Sequence, residues 1–392
     1  PGISDPKLTI TTKVMTSETL KHDSAVQYAL SKTDNTLKLP EKYNGLGYQN
    51  LISMVFDLMG FRDDWMREGK AKDTNTVIEP MHLVLVEEPE AHLHIQVQQV
   101  FIRQAYKVLT NHKFLKQNLN FTTQLVISTH SSHIAIETTF GNLRYFKRLP
   151  EGTECAVATS KVINLSDVFG DSDQTNKFVT RYLQSTHCDL FFADAAILVE
   201  GVAESMLLPH FIRSKFPELY QRYITILGVN GRHAHRLSPL IEKLCLPTLV
   251  ITDLDPAEKE GYHKSVVPKR GEGQISGNYA IAKWLMKEKD IDKLVDYSED
   301  KKEFSFASPY RFSIRLAYQT PVKVDFEGEE KEAIPGTFED CLIYTNYDLF
   351  KKIKVTDSGN LVEQTHDLLN SNDTFEMIHE KIYKMLRAGK SE

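Results

Sequence analysis

Short apolar runs bounded by polar residues punctuate the chain. Leu83–Val86 and Leu125–Ile127 are apolar without alternation, which predicts parallel strands covered on both faces. The first third is expected to hold a helix near Tyr48–Met59, a strand at His82–Val86, a long helix from about Ala91 to Thr110 and a strand at Gln124–Ser128. Two-residue alternation from Asn142 to Ile163 predicts β structure, and Ser166–Thr186 reads as a connecting helix. From Ala195 a βαβαβ run is expected: strand Ala195–Val199, helix Ala203–Phe216, strand Tyr223–Leu227, helix Ala234–Leu244 and strand Pro247–Thr252. Such a run implies a parallel, doubly wound sheet with right-handed crossovers. Gly271–Thr320 reads as less regular, followed by helices at Phe338–Tyr344 and Leu361–Gly389. The charged stretches Ser298–Glu303 and Asp325–Glu332 read as solvated loops.

Composition changes this picture little. The 392 residues are 41% hydrophobic and 26% charged, an ordinary globular balance with room for two or three domains. Fifty-three acids against 47 bases give a net charge of −6. That excludes a protein coating nucleic acid by bulk charge but leaves room for a local site. Cys155, Cys188, Cys245 and Cys341 are scattered and read as free thiols of a reducing cytoplasm. No apolar run is long enough to span a membrane.

Two groups of residues carry chemistry. In the first, the strand Leu83–Val86 ends in Glu87-Glu88-Pro89-Glu90. A first carboxylate fixed at a strand end can sit beside a Mg²⁺-bound phosphate, and a second can orient the attacking water. Ser128-Thr129-His130-Ser131 follows the next buried strand and brings a histidine within reach of a γ-phosphate. Upstream, Asn44-Gly45-Leu46-Gly47-Tyr48-Gln49-Asn50 is a glycine-containing turn opening a helix, a geometry suited to anions. His92 and His94, placed two apart on the expected helix, diverge by about 200° and do not readily share a metal. No G-x-x-x-x-G-K-[ST] occurs.

In the second group, Ala195–Val199 runs into Glu200-Gly201, with Glu204 one helical turn on. Leu249-Val250-Ile251-Thr252-Asp253-Leu254-Asp255 reads as another buried strand, ending in Asp-x-Asp, whose aspartates period two turns the same way. Parallel strands bring these ends to one sheet edge, so up to four carboxylates converge. Mg²⁺ or Mn²⁺ resolves their repulsion, and two such ions suit phosphodiester chemistry. His233, His235 and the basic segment His263–Arg270 are candidates for phosphate contact, with solvated loops as the alternative.

The first group resembles ABC-type ATPases of the repair and recombination class. On that resemblance Asn44–Asn50, with Gly47, takes the place of the signature motif. Glu87 and Glu88 match the Walker B acids, His92–His94 the D-loop region, and His130 the switch histidine. The Walker A loop is missing, and Glu87 stands where the superfamily usually has Asp. The second group resembles the Toprim domain, and the two in this order resemble the OLD (overcoming lysogenization defect) family of nucleases. Gly228–Arg236, Ser276-Gly277-Asn278, Phe338-Glu339-Asp340 and the terminal Gly389-Lys390-Ser391-Glu392 resemble further motifs of that family.

The resemblance implies an α/β chain. Residues 1–165 would be the C-terminal part of an ABC-type ATPase domain, 166–190 a helical connection, and 191–392 a Toprim (Rossmann-like, parallel sheet) domain with helical additions. It implies a metal-dependent DNA endonuclease coupled to an ATPase module, serving anti-phage defence or DNA processing. Glu200, Asp253 and Asp255 would hold one Mg²⁺ or Mn²⁺, and Glu204 with Glu339 a second. Lys390 would stabilise charge developing on phosphate, with Lys381 and Lys384 as alternatives. ATP belongs to a complete ATPase domain. The implied partners are DNA, a second copy of the chain through ATPase heads, and a defence-system protein or nucleic acid; no membrane is implied. The competing readings are a regulatory ATPase-like module on a scaffold Toprim fold, and Toprim strand passage or primer synthesis. The start at Pro1 and the missing Walker A loop both fit the latter part of a longer chain.

Overall fold

The computed structural model describes residues 8–13, 23–29, 38–40, 43, 45–68, 77–91, 93–118, 120–149, 157–168, 188–229, 233–260, 264–307, 310–353 and 360–389. The chain divides into two compact units, Pro1–Thr139 and Phe140–Glu392. Asn44, His92, Asn230–Arg232, His263, Lys390 and most of the expected Ser166–Thr186 helix lie outside the described residues.

In the first unit, β1 (Leu8–Lys13), β2 (Asp23–Ala29) and β3 (Lys38–Pro40) form an antiparallel sheet in that order. Helix Leu46–Trp65 follows. Strands β4 (Met81–Glu87) and β5 (Thr122–Ser128) pair in parallel, with Glu87 opposite Ser128. Their connection contains helix Ile95–Thr110, which begins four residues later than its apolar pattern predicts. His94 is its N-cap, accepting from the Gln96 N–H, so His94 precedes the helix instead of lying on it. Leu58, Val84, Phe101, Ala105 and Leu109 form the core on one face of β4. The expectation of strands covered on both faces fails here: Leu83, Leu85 and Val126 are 53%, 69% and 44% exposed. The apolar run reports the composition of both faces, while only the face under the helices is packed.

The second unit opens with the antiparallel hairpin β6 (Arg144–Leu149) and β7 (Thr159–Asn164). Lys147 Nζ donates to the carbonyls of Leu244 and Cys245, tying the hairpin to the central sheet region. That sheet contains β8 (Ala195–Val199), β9 (Ile224–Gly228), β10 (Thr248–Ile251), β13 (Glu303–Phe306) and β14 (Phe312–Ala317), in the order β13-β14-β10-β8-β9, while the two-residue strands β11 (Pro256–Ala257) and β12 (Ile275–Ser276) pair antiparallel outside it. The β8, β9, β10 and β14 pairings are parallel, and β13 is an antiparallel edge. Leu198, Val199, Val250, Ile314 and Leu316 are fully buried. This is the expected α/β doubly wound arrangement, with β13 and β14 drawn from the region read as irregular.

Register aligns Val199 with Ile251 and Gly228, and Ile251 with Ala317. Glu200, Val229, Thr252 and Tyr318 therefore emerge at one carboxyl edge, where open α/β sheets bind ligands. Helix Val202–Lys215 leaves β8 immediately, while the expected Ala234–Leu244 helix is a 3₁₀ turn running into helix Ser238–Leu244.

Both charged stretches carry structure. Asp325–Glu332 lies in the hairpin β15 (Val322–Phe326) and β16 (Glu329–Ala333). Glu299–Lys302 is a 3₁₀ turn that buries Lys302, whose ammonium contacts Glu299 at 2.8 Å and lies 4.7 Å from the centre of the Tyr318 ring. The terminal helical stretch is two helices, Leu361–Leu369 and Phe375–Gly389, because Asn370 caps the first and Ser371–Thr374 interrupt the apolar period. With helix Phe338–Thr345 they bury Ile343, Tyr344, Ile378 and Ile382 against Val324 and Ala333.

The buried Lys302 stem generates a stability prediction. Lys302→Ala removes both packing and a cation over an aromatic face and should cost about 2–4 kcal/mol in urea unfolding. Lys302→Met, which keeps the stem volume, should cost less than half as much.

Candidate active site

At the β4–β5 edge, Glu88 has a positive φ of 42°, sparsely populated by non-glycine residues. Its N–H donates to the Ser128 carbonyl at 3.0 Å and the Ser128 hydroxyl at 3.3 Å. This turn sends the Glu88 carboxylate to His130 Nε2, 3.2 Å away. Glu87 ends the strand on the exposed side. Glu90, to which no role was assigned above, accepts from the Thr129 hydroxyl at 2.9 Å and the His130 N–H at 2.6 Å. Gly47 lies in the first turn of helix Leu46–Trp65, whose N-cap is Gly45.

At the β8–β10 edge, Glu200 is the focus. Its Oε2 accepts from the Thr252 hydroxyl at 2.7 Å, the Asp253 N–H at 3.1 Å and Asn278 Nδ2 at 3.1 Å. Burial, and then the negative charge of Asp255, push the Glu200 pKa above the usual carboxylate range against these donors. Asp255 sits in the left-handed region at φ 47°, and Asn278 Nδ2 lies 3.4 Å from its Oδ2. Thr252 and Asn278 are themselves buried.

The two aspartates diverge from the expected common direction. Strand β10 ends at Ile251, so the two-residue period does not extend over Asp253 and Asp255. Asp253 is buried and its Oδ1 accepts from Gln319 Nε2 at 2.7 Å and the Phe338 N–H at 3.0 Å. Gln319 Oε1 in turn accepts from the Leu254 N–H at 2.8 Å, so one amide fixes two successive loop residues. Glu204 is 3% exposed and folds back over its own helix start; a Cβ on Gly201 would lie 2.6 Å from its Oε2. Glu339 occupies the first turn of helix Phe338–Thr345, beside the residue that caps Asp253. Its neighbour Asp340 is fully buried and accepts from the Gly336 and Thr337 N–H groups, a capping role.

The four carboxylates thus share one edge without forming a ready cage. Among the described residues, no three His, Cys, Asp or Glu side chains are gathered so as to hold a metal ion. Glu200 and Asp255 are brought together through Asn278, while Asp253 is hydrogen-bonded by Gln319 and the Phe338 N–H and Glu204 is buried. The donor chemistry still suits a hard divalent cation, since Glu200 and Asp255 offer carboxylate oxygens whose proximity a cation would relieve. Thr252, Asn278 and Gln319 were given no site role by sequence. Thr252 and Asn278 lay in motifs already singled out, but Gln319 follows β14, a strand that the pattern did not reveal.

The chain matches two protein families, the AAA ATPase domain over residues 5–135 and the TOPRIM domain of overcoming lysogenization defect protein-like proteins over residues 191–255. It therefore joins an AAA ATPase domain to an OLD-like Toprim domain, on a mixed α/β fold with a parallel-rich sheet. Its relatives include Endonuclease GajA of Bacillus cereus strain HuB5-5, 28% identical over 369 residues, covering 90% of this chain and 48% of that protein. Endonuclease GajA of Bacillus cereus strain VD045 is 23% identical over 314 residues, covering 76% of this chain and 49% of that protein. The chain is homologous to these OLD-family proteins and spans about half their length. No helix among the described residues is long and apolar enough to cross a membrane.

Gly201→Ala should displace the Glu204 carboxylate and lower stability by about 1–3 kcal/mol in urea unfolding. The added Glu204→Ala substitution should recover part of that loss by opening the space the new methyl group needs.

Proposed function

We propose that the second unit is a metal-dependent DNA endonuclease site coupled to the ATPase module of the first, with the pairing of Glu200 and Asp255 at the carboxyl edge of the parallel sheet as the observation that carries the reading. The nuclease relatives and the Toprim match favour phosphodiester hydrolysis over a scaffold role. Glu200 and Asp255 would hold a divalent cation, Mg²⁺ or Mn²⁺, with Asp253 completing its surroundings. Glu204, with Glu339, would hold or orient a second. When bound, the ions supply a nucleophile at neutral pH and stabilise the leaving oxygen.

The protein's own part is orientation. Thr252 donates its hydroxyl proton to Glu200, which fixes the rotamer of both side chains. Gln319 and the Phe338 N–H hold Asp253 still, so the loop between the aspartates keeps one conformation. Burial excludes water from the inner side of the carboxylates and strengthens their pull on a cation. Lys390 is proposed to face the phosphate.

In the first unit, Glu88 and His130 are proposed to act together on a bound nucleotide, with Glu87 beside its Mg²⁺ and Gly47 at the signature turn. Their contact at 3.2 Å supports this reading. Nucleotide turnover belongs to a protein with a Walker A loop. The proposed partners are DNA, a second copy through the ATPase heads, and a defence-system component; the proposed setting is the cytoplasm.

Purified protein should nick or cut supercoiled plasmid with Mg²⁺ or Mn²⁺, read on agarose gels. Glu200→Ala and Asp255→Ala should each lower the rate by at least about a hundredfold; unchanged cleavage in both variants sinks the site. In a longer protein carrying a Walker A loop, Glu88→Ala should lower the kcat of ATP hydrolysis by roughly a hundredfold or more, with little change in KM.

A further inference from the structure

Asn278 is completely buried, yet it belongs to no sheet strand and makes no charged pair. Its Oδ1 accepts from the Ala280 N–H at 2.9 Å, which fixes the amide flip and turns Nδ2 toward the site. From there Nδ2 reaches Thr252 Oγ1 at 2.7 Å, Glu200 Oε2 at 3.1 Å and Asp255 Oδ2 at 3.4 Å. Two hydrogens are shared among three oxygens. Because Thr252 accepts from Asn278, its own proton is directed to Glu200.

The backbone around Asn278 is anchored to the same loop. Its N–H donates to Ser276 Oγ at 3.2 Å, Ser276 Oγ donates to the Leu254 carbonyl at 2.7 Å, and the Gly277 N–H donates to the Asp255 carbonyl at 2.8 Å. The segment Ser276–Asn278 is therefore zipped to Thr252–Asp255 along its length. A side chain held this firmly between two carboxylates has a defined electrostatic task. A lysine there would compete with a cation, an aspartate would repel both acids, and an amide donates without adding charge.

We propose that Asn278 is a positioning residue of the carboxylate site, a neutral clamp that holds Glu200 and Asp255 together before a cation arrives. This rests on the nuclease reading for its purpose but not for its test. Asn278→Asp keeps the shape, removes the donor and adds a third negative charge. In chelator, its melting temperature should fall by about 5 °C or more. Glu200→Gln removes the charge that the new aspartate opposes. The step from Glu200→Gln to Glu200→Gln/Asn278→Asp should then cost less than half the step from wild type to Asn278→Asp.

Packing alone predicts equal steps, so the difference isolates the electrostatic role. A single variant that fails to fold while the double variant folds gives the same support. A single variant as stable as wild type, or a double variant in which the loss is undiminished, overturns the clamp. The melts contain no metal and no DNA, so they decide the clamp independently of the plasmid assay that decides the nuclease.

Discussion

Water-poor surroundings make carboxylates expensive, and the second unit is organised around meeting that cost. An ionised group removed from water needs hydrogen-bond donors or a counter-charge. Glu200 obtains three donors, from Thr252, the Asp253 backbone and Asn278. Asp253 obtains Gln319 and the start of helix Phe338–Thr345. Asp340 obtains the Gly336 and Thr337 N–H groups, and even so its burial pushes its pKa up to about 6. The donors come from separate stretches of chain, at residues 252–253, 278, 319 and 336–338, so satisfying the acids also fixes the loops.

The first unit solves a different problem. Glu88 and His130 have side chains 51% and 79% exposed, and a pair that open to solvent contributes little energy by itself. Its geometry comes from the backbone: the left-handed turn at Glu88, the parallel pairing that sets Glu87 opposite Ser128, and the Glu90 carboxylate gripping the Thr129–His130 segment. One unit fixes its acids through buried donors, the other through main-chain shape.

Much of this was legible in advance where burial writes itself into composition. Strands β8 and β10 are covered on both faces, and their uninterrupted apolar runs announced them together with the acids that follow. The same signal misled at Leu83 and Leu85, whose side of β4 is exposed. Strand β14 alternates as Phe312-Ser313-Ile314-Arg315-Leu316-Ala317 within polar surroundings, so neither it nor the Gln319 that follows stood out. The Asp255 direction depends on a positive φ that no residue spacing encodes. Lys302 was hidden for a related reason, since a charged residue in a charged stretch gives no sign that its stem is packed beneath a ring. Asn278 lay in a motif already noticed, but its meaning required knowing what stood 26 and 78 residues earlier.

The reach of these contacts has a consequence for how the site comes into being. The OLD-like Toprim match ends at residue 255, yet the groups that set its acids lie 66, 78 and 85 residues away along the chain. Closing such loops carries an entropic cost that only the finished fold recovers. A nascent chain that has emerged only as far as Asp255 has β8, β9, β10 and the acids Glu200, Asp253 and Asp255, but not β14, Asn278 or the Phe338 N–H. The carboxylate edge is therefore assembled only after residue 338 has been made, well after the strands that carry its acids.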